Sequence, residues 1–294
     1  MTKRRILRNL VVGAFITLSV LTAGLWIVGD LLIHPAQVSI GPLPADFPAS
    51  NVSFKSSSGA LVHGWFLRGQ SKGAILLLHG VRANRLAMLD RARFLYAAGY
   101  SVLLIDFQAS GESIGDSITF GHLESRDAIA AVDQLKTLAP GEPIGVYGTS
   151  MGGAVMLLAD PPLNVDAVIL EQVYPTLSLA VEDRLQLHAG FLGTWLAPLL
   201  LSTVKPHLGV SLAEMRPIDH ISNIVAPKLL IVGDADQHTR LDESLAMFKA
   251  ASLPKDLWII HGARHVDLYR YSGSSYSDHV IDFFDRWLRK PLHH

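Results

Sequence analysis

The 294-residue sequence contains no cysteine. This absence excludes disulfide bonds, cysteine-ligated zinc and catalysis by a thiol nucleophile. Charged residues are also scarce, at 17% of the chain, and the formal net charge is −1. A near-neutral chain with no basic patch beyond its N-terminus lacks the positively charged surface that nucleic-acid binding requires. The composition therefore predicts a protein without a nucleic-acid partner.

A long uncharged stretch lies near the N-terminus, where residues 10–29 contain no Asp, Glu, Lys, Arg or His. A helix of about 20 residues spans the roughly 30 Å hydrocarbon core of a bilayer. Four basic residues precede the stretch: Lys3, Arg4, Arg5 and Arg8. Asp30 and Asp46 follow it, with no Lys or Arg before Lys55. This asymmetry predicts that residues 1–33 form a cytoplasmic tip and a single-pass transmembrane anchor, with the remaining chain on the trans (periplasmic or extracytoplasmic) side.

Two other interpretations of the uncharged stretch remain open. A cleaved signal peptide has a shorter apolar region, of about 7–15 residues, and ends in a small-residue cleavage site that is not evident here. A buried core helix is disfavoured by the preceding basic residues and by the prolines that follow, Pro35, Pro42, Pro44 and Pro48. We expect a retained anchor, joined by an extended Pro-rich linker over residues 34–50 to a folded domain over residues 51–294.

Short apolar runs alternate with helical patterns through most of the folded domain. Residues 52–55 and 61–67 predict a hairpin, and continuous apolar runs predict strands at 74–78, 101–106, 144–147, 167–170, 228–232 and 257–260. Helices are predicted at about 85–98, 123–138 and 275–288. Strands that are apolar on both faces suit a parallel sheet covered by helices. The pattern therefore predicts an α/β protein with a mostly parallel central sheet flanked by helices.

Residues 148–152 read Gly-Thr-Ser-Met-Gly and lie between a predicted strand and a stretch rich in Ala, Val, Met and Leu. Strand, tight turn and helix around Gly-x-Ser-x-Gly are the setting of a nucleophile elbow, which holds a serine hydroxyl above the sheet edge. Glycines flank the serine because the strained turn leaves no room for side chains. The alternative is an ordinary turn. Partners that follow in the required order favour Ser150 as a nucleophile.

A serine hydroxyl becomes nucleophilic when a histidine takes its proton and a carboxylate orients that histidine. Asp234 and Asp236 follow a late strand; Asp236 has the loop position expected for the acid, and Asp234 is interpreted as a turn residue. His261 and His265 follow the next strand. His265 lies in the loop where the base is expected, and His261 is too close to the strand end. The order Ser, Asp, His is the one that this type of elbow requires.

Residues 52–288 resemble the α/β-hydrolase superfamily. Residues 74–80 are similar to the strand ending in His-Gly whose following loop supplies an oxyanion-hole amide. Residues 103–113 are similar to the strand and loop that usually read Asp-x-Arg-Gly-x-Gly-x-Ser, although Gln108 and Ala109 replace the usual Arg-Gly. Similarity to membrane-anchored, lipase- or esterase-like members extends to residues 120–127 and 216–219. The resemblance implies the α/β-hydrolase fold.

Carried over by position, the resemblance implies that Ser150 is the nucleophile, Asp236 the acid and His265 the base. It also implies that the backbone amides of Val81 and Met151 bind the oxyanion. Fixed amide N–H groups stabilise developing negative charge without reorganising. No cofactor is implied, and a metal site built from the Asp and His residues of the late loops is disfavoured because each has another role.

Residues 172–221 interrupt the alternation of strands and helices, and residues 188–201 are the most apolar part of this insertion. The resemblance implies a helical lid over the serine, in which Phe191 and Trp195 line an apolar acyl pocket. A helical hairpin whose leucines pack on the core is a second interpretation. A third is that this face enters the bilayer beside the anchor.

We therefore expect a membrane-anchored serine hydrolase, carboxylesterase- or lipase-like, that cleaves carboxylic ester or thioester bonds through an acyl-enzyme intermediate. Its partners would be a small-molecule or lipid-like acyl substrate and the membrane. A peptidase or amidase of the same fold is the alternative, because the same side chains can protonate a departing amine. A non-catalytic scaffold is disfavoured because all three catalytic residues are present. The sequence indicates no oligomeric state.

Overall fold

The computed structural model describes residues 3–288, so the outer ends of the predicted anchor and domain, residues 1–2 and 289–294, lie outside the described residues. The strands are β1 (Ala36–Gln37), β2 (Ser50–Lys55), β3 (Leu61–Leu67), β4 (Ala74–Leu78), β5 (Ser101–Ile105), β6 (Ser110–Gly111), β7 (Ile144–Thr149), β8 (Ala167–Glu171), β9 (Lys228–Gly233) and β10 (Lys255–Ile260). The α-helices are α1 (Lys3–Ile33), α2 (Leu89–Ala97), α3 (Glu124–Leu138), α4 (Met151–Leu157), α5 (Leu177–Ala189), α6 (Phe191–Leu201), α7 (Val204–Leu208), α8 (Pro217–His220), α9 (Leu241–Ala250), α10 (Leu268–Ser272) and α11 (Ser274–Trp287).

One sheet contains eight of the described strands, in the order β10-β9-β8-β7-β4-β5-β3-β2. The strands from β10 to β5 pair in parallel, whereas β3 is antiparallel to both β5 and β2. Side chains of β4 alternate between two hydrophobic clusters, with Leu76 and Leu78 in one and Ile75 and Leu77 in the other. The central strands are continuously apolar because both faces of the sheet are packed against helices.

The predicted α/β architecture with a mostly parallel sheet is confirmed. The parallel strands of the sheet differ from their predicted bounds by at most two residues at either end. The helix predicted at 85–98 begins instead as a 3-10 turn at Arg85–Met88, where the Asn84 side chain accepts a hydrogen bond from the Leu86 amide. Boundaries of this kind depend on local capping bonds, which the apolar periodicity does not record.

Helix α1 carries exposed apolar side chains, and residues Arg4–Ile33 are long and apolar enough to cross a bilayer. A signal sequence would meet the same criteria. The end of α1 is bonded directly to the domain: the Ile118 amide donates to the Ile33 carbonyl at 2.7 Å, and the Ala36 amide donates to the Ala109 carbonyl at 2.8 Å. Strand β1 then pairs in parallel with β6. The first residues after the helix are therefore fixed to the loop that follows β5.

Candidate active site

Ser150 lies in the tight turn between β7 and α4. Its backbone has φ 51° and ψ −117°, a region that non-glycine residues adopt only when their surroundings enforce it. A Cβ on Gly148 would lie 2.4 Å from the carbonyl carbon of Gly152, and a Cβ on Gly152 would lie 2.3 Å from the carbonyl oxygen of Leu78. Both positions therefore require glycine. The turn has the strand–turn–helix form that the sequence predicts.

His265 and Asp236 are in direct contact, with 2.8 Å between His265 Nδ1 and Asp236 Oδ2. Asp236 is buried and also accepts hydrogen bonds from the amides of His238 and Thr239 and from the Thr239 hydroxyl. Burial acts to raise the pKa of Asp236, but the hydrogen bonds and the charge of His265 outweigh it and lower that pKa below its usual value. An ionised carboxylate favours the proton on Nδ1, which makes Nε2 the nitrogen able to accept a proton.

Asp234 and His261, the alternative acid and base, form a separate pair. His261 Nδ1 lies 2.8 Å from Asp234 Oδ2, and the Gly262 amide donates to Asp234 Oδ1 at 2.6 Å. The hydrogen bond from His261 lowers the pKa of Asp234. The His261 side chain is exposed, and neither residue lines the cavity that contains Ser150. The pair joins the loops that follow the neighbouring parallel strands β9 and β10, at the surface.

The loop that follows β4 lies against the serine turn. A Cβ on Gly80 would come within 3.6 Å of the Ser150 Cβ. His79 is fully buried and fixes the loop, because its Nε2 accepts a hydrogen bond from the Phe107 amide at 3.1 Å while its Nδ1 donates to the Gly80 carbonyl at 2.8 Å. Burial lowers the pKa of His79 to about 4, so the ring is neutral at physiological pH. Val81, which follows Gly80, lines the same cavity as Ser150.

Met151 is the first residue of α4, so its amide is among the N-terminal N–H groups without a partner inside the helix. The amides of Gly153 and Ala154, by contrast, already have a partner, because both donate to the Ser150 carbonyl. The two amides predicted to bind an oxyanion, those of Val81 and Met151, therefore come from the β4 loop and from the helix that follows the serine.

The predicted catalytic residues lie at the carboxyl ends of neighbouring strands. Ser150 follows β7, Asp236 follows β9 and His265 follows β10, and these strands are neighbours in the sheet together with β8. Ligands of α/β sheets bind outside these strand ends. Ser150 and His265 line one cavity of about 410 Å³. No hydrogen bond joins their side chains within residues 3–288, and catalytic hydrogen bonds are often long before substrate binds.

Gln172 is a site residue that the sequence analysis did not find. It follows β8, has a positive φ of 50°, and its Nε2 donates to Asp236 Oδ2 at 3.0 Å and to the Arg264 carbonyl at 2.8 Å. It thus ties the carboxylate to the loop of the predicted base. Its position could have revealed it, because Gln172 is a polar residue that follows β8, and β8 lies between β7, which precedes Ser150, and β9, which precedes Asp236.

A polar cluster forms part of the cavity lining, through Arg91, Glu171 and Asp267. Glu171 is paired with Arg91 at 2.7 Å and accepts hydrogen bonds from the hydroxyls of Tyr147 and Tyr276. Arg91 also reaches Asp267, at 3.1 Å. Burial raises the pKa of Glu171 to about 7, although the charge of Arg91 acts in the opposite direction. The Ser150 turn is also joined to the backbone of Glu171, because the Ser150 amide donates to the Glu171 carbonyl at 2.8 Å.

Besides Arg91 and His265, two basic side chains line the cavity: Arg184 from α5, and His238. Arg184 Nη1 donates to the Ala180 carbonyl at 3.0 Å, and no ion pair of Arg184 is present in the described part of the chain. The His238 and His265 rings lie 5.1 Å apart. Burial, together with the charges of Arg184 and His265, lowers the pKa of His238. Arg91, Glu171 and Asp267, which also line the cavity, are paired with one another, so Arg184 is the cavity-lining guanidinium without an ion-pair partner in the described part of the chain. Residues 3–288 contain no group of three or more His, Asp or Glu placed to hold a metal ion.

The insertion differs from the expected apolar lid. Helices α5 and α6 form a helical hairpin, and α5 supplies Arg184 to the cavity. Phe191 and Trp195 do not line the cavity; they are 76% and 68% exposed on the outer face of α6. The expectation that they form the acyl pocket is wrong, because the face of α6 that packs inward carries Ala197, Leu200 and Leu201 instead.

Known proteins share this fold and this sequence pattern. Residues 69–216, half of the chain, match the family described as Serine aminopeptidase, S33 (Hydrolase_4). Human monoglyceride lipase is 28% identical over 239 residues, which are 69% of this chain and 78% of the lipase. An esterase of Pyrococcus furiosus superposes with a TM-score of 0.73 at 25% identity, covering 87% of this chain and 98% of the esterase.

A monoacylglycerol lipase of Paleococcus ferrophilus has the same fold, with a TM-score of 0.58 at 22% identity over 76% of this chain and 98% of the lipase. Family match, sheet topology and structural neighbours agree on an esterase- or lipase-like α/β hydrolase. The chain belongs to the serine aminopeptidase S33 family, within the α/β-hydrolase superfamily.

Proposed function

We propose that the protein is a membrane-anchored serine hydrolase that cleaves carboxylic ester or thioester bonds. The observation that carries the proposal is the 2.8 Å contact between His265 and Asp236 beside a cavity that both His265 and Ser150 line. An ionised Asp236 orients the imidazole, and the strained turn presents the Ser150 hydroxyl to the same space. The esterase and monoglyceride lipase among its relatives support an ester as the substrate bond.

The reaction proceeds in two acyl transfers. Ser150 Oγ attacks the carbonyl carbon while its proton passes to His265 Nε2, and the amides of Val81 and Met151 stabilise the oxyanion. His265 then protonates the departing oxygen or sulfur as its bond to the carbonyl carbon breaks, which leaves an acyl-serine. Water attacks the acyl-serine, gives a proton to His265, and the carboxylic acid leaves as Ser150 regains its proton.

The anchor is the second part of the proposal. Helix α1 is uncharged over residues 10–29, its apolar side chains are exposed, and basic residues occupy its first turns. Its C-terminal end is hydrogen-bonded to the domain, as a retained segment would be. Mass measurement of the protein that remains in membranes after alkaline carbonate washing tests this part. The full-length mass is expected, and a soluble product lacking residues 1–33 would contradict it.

An amidase or peptidase activity is the alternative, and the description of the family as serine aminopeptidases favours considering it. Protonation of the leaving group by His265 serves an amine as well as an alcohol. Kinetic comparison of p-nitrophenyl esters with aminoacyl p-nitroanilides separates the two activities. A higher kcat/KM for the anilides than for the esters would favour an amidase or peptidase over the proposed esterase.

Labelling with a fluorophosphonate tests the proposed nucleophile. The wild type and the control Ser178→Ala are expected to react with the probe, and Ser150→Ala is expected not to react. Labelling that survives Ser150→Ala would assign another nucleophile. A folded wild type that does not react would remove the hydrolase proposal.

A further inference from the structure

The outer face of α6 is a continuous apolar surface. It consists of Phe191, Leu192, Trp195, Leu196 and Leu199, which are 76%, 65%, 68%, 41% and 50% exposed. Their spacing places them on one side of the helix. Helix α6 contains no charged residue along its eleven positions. Five large apolar side chains exposed on one uncharged helix form a larger patch than scattered surface residues do, and such patches mark interaction sites.

This face belongs to a helix that is packed against α1. Directly after α6 the chain contacts α1 again: a Cβ on Gly29 would lie 2.8 Å from Thr203 Oγ1, and the ring of His207 in α7 is 4.0 Å from that of Trp26. Leu200 and Leu201 at the end of α6 line a small apolar cavity together with Gly29, Leu32 and Ile33 of α1. The insertion therefore meets α1 at its last two turns, and α6 extends from that contact.

The height of the contact along α1 matches the edge of a bilayer. Residues 10–29 are uncharged, and 19 steps of about 1.5 Å place Gly29 roughly 29 Å from residue 10, close to the thickness of the hydrocarbon core. Trp26 lies in the contact region and Trp195 lies on the α6 face, and tryptophan is enriched at the membrane–water interface. The insertion thus joins α1 at the depth where lipid headgroups would begin.

We propose that the α6 face lies in the lipid interface beside α1, so that the anchor and the insertion form one membrane-embedded unit. This inference rests on the proposed anchoring of α1. We assign the bilayer, and not a second copy of the chain, as the partner of the α6 face. The reason is that α6 lies beside α1, which exposes apolar side chains along its length. The substrate class that follows is an ester dissolved in the bilayer, which reaches the cavity of Ser150 from the lipid side.

Single cysteines give a direct test, because the chain has none of its own. Leu192→Cys reports on the α6 face, Leu18→Cys on the middle of α1, and Val225→Cys on an exposed site at the amino-terminal end of β9. The full-length variants are labelled with an environment-sensitive fluorophore and reconstituted into phosphatidylcholine vesicles with or without nitroxide-labelled acyl chains. We expect lipid nitroxides to quench the labels at positions 192 and 18, and not the label at 225.

Each other outcome has a defined meaning. Quenching at 18 with a water-exposed label at 192 would overturn the inference and leave the anchor intact. No quenching at 18 would contradict the anchoring itself, and the inference with it. A label at 192 that is shielded at high protein density but insensitive to lipid nitroxides would assign the face to a second copy of the chain and overturn the inference.

Activity provides an independent readout. The double variant Phe191→Ser, Trp195→Ser is expected to lose about tenfold in hydrolysis of a long-chain ester carried in vesicles, since each lost aromatic weakens interfacial binding. Its hydrolysis of water-soluble p-nitrophenyl butyrate should stay at the wild-type rate. The matched control Val225→Ser, Leu245→Ser removes two exposed apolar side chains elsewhere. Equal loss on both substrates, or equal loss in the control, would overturn the inference, whereas absence of any ester hydrolysis in the wild type would contradict the proposed function.

Discussion

The side-chain amide of Gln172 donates to Asp236 Oδ2 at 3.0 Å, the same oxygen that contacts His265. A second bond from Gln172 Nε2, to the Arg264 carbonyl at 2.8 Å, holds the loop that carries His265. One side chain therefore sets the position of both members of the acid–base pair relative to each other.

Replacing Gln172 with Ala should lower kcat about tenfold with little change in KM, because hydrogen bonds to charged groups contribute about 1.5–3 kcal/mol and only the orientation of His265 is affected. Steady-state kinetics on p-nitrophenyl butyrate measure the change. Gln186→Ala, on the exposed face of α5, serves as the control. A rise in KM at constant kcat would assign Gln172 to substrate binding instead of positioning.

The two aspartates after β9 offer a matched pair. Asp236→Asn should reduce kcat by about 10⁴-fold, because an amide cannot hold the histidine in the tautomer that accepts a proton. Asp234→Asn changes the surface pair with His261 and should leave kcat near the wild-type value. The reverse ranking, measured on the same ester, would transfer the role of acid to Asp234.

The oxyanion role assigned to Val81 involves its backbone. Val81→Ala retains the amide N–H and should cost a small fraction of the roughly 10²-fold loss that follows removal of an oxyanion-hole donor. Ser150→Ala should cost about 10⁶-fold. Both values come from kcat on one soluble ester, and a Val81→Ala loss as severe as that of Ser150→Ala would contradict a purely backbone contribution.

We expect Arg184 to make the cavity selective for negatively charged substrates. Its guanidinium lines the cavity without an ion-pair partner in residues 3–288, so a carboxylate on the substrate would gain a charge-assisted hydrogen bond. Arg184→Met should lower kcat/KM about tenfold for the mono-p-nitrophenyl ester of succinic acid and leave p-nitrophenyl butyrate unchanged. Arg184→Lys should retain most of the preference. Equal effects on both esters would exclude the assigned selectivity.

Glu171 is expected to make the stability of the folded protein depend on pH. Burial raises its folded pKa to about 7, above the ordinary value of 4.5, so the folded state binds more protons between these values. The contribution is present below about pH 4.5 and is lost as the pH rises towards 7 and the buried carboxyl ionises. Glu171→Gln should therefore flatten the decline of Tm between pH 5 and 8, relative to the wild type. Glu243, whose pKa burial also raises to about 7, affects both proteins equally. If the Tm of the wild type and of Glu171→Gln falls equally with pH, Glu171 is not the titrating group.

The parts of the site that follow a motif were accessible from sequence. Gly-x-Ser-x-Gly after an apolar run predicts the turn of Ser150 because only glycine fits the flanking positions, and the loop spacing separates Asp236 from Asp234. Gln172 and Arg184 have no such spacing rule, because each reaches the site through a side chain from a different element. Their contribution depends on packing, which the sequence pattern does not record.

The insertion shows a different limit. Apolar periodicity identifies one side of α6 as hydrophobic but does not distinguish a side that contacts protein from a side that contacts lipid. The family resemblance implies that Phe191 and Trp195 line the acyl pocket, whereas the structure has them on the outer surface. The contact between Gly29 and Thr203 was not predictable either, since an apolar helix can pack against lipid or against its own domain.

The hydrogen bonds of Ile33 and Ala36 to the loop after β5 hold the domain close to the end of α1, without a flexible linker between them. A catalytic domain on a long flexible linker can move away from the membrane surface and bind molecules from the surrounding water. If α1 is anchored as proposed, the cavity of Ser150 keeps a fixed distance and tilt relative to the lipid headgroups, and the lipids of the adjacent leaflet determine which molecules reach it.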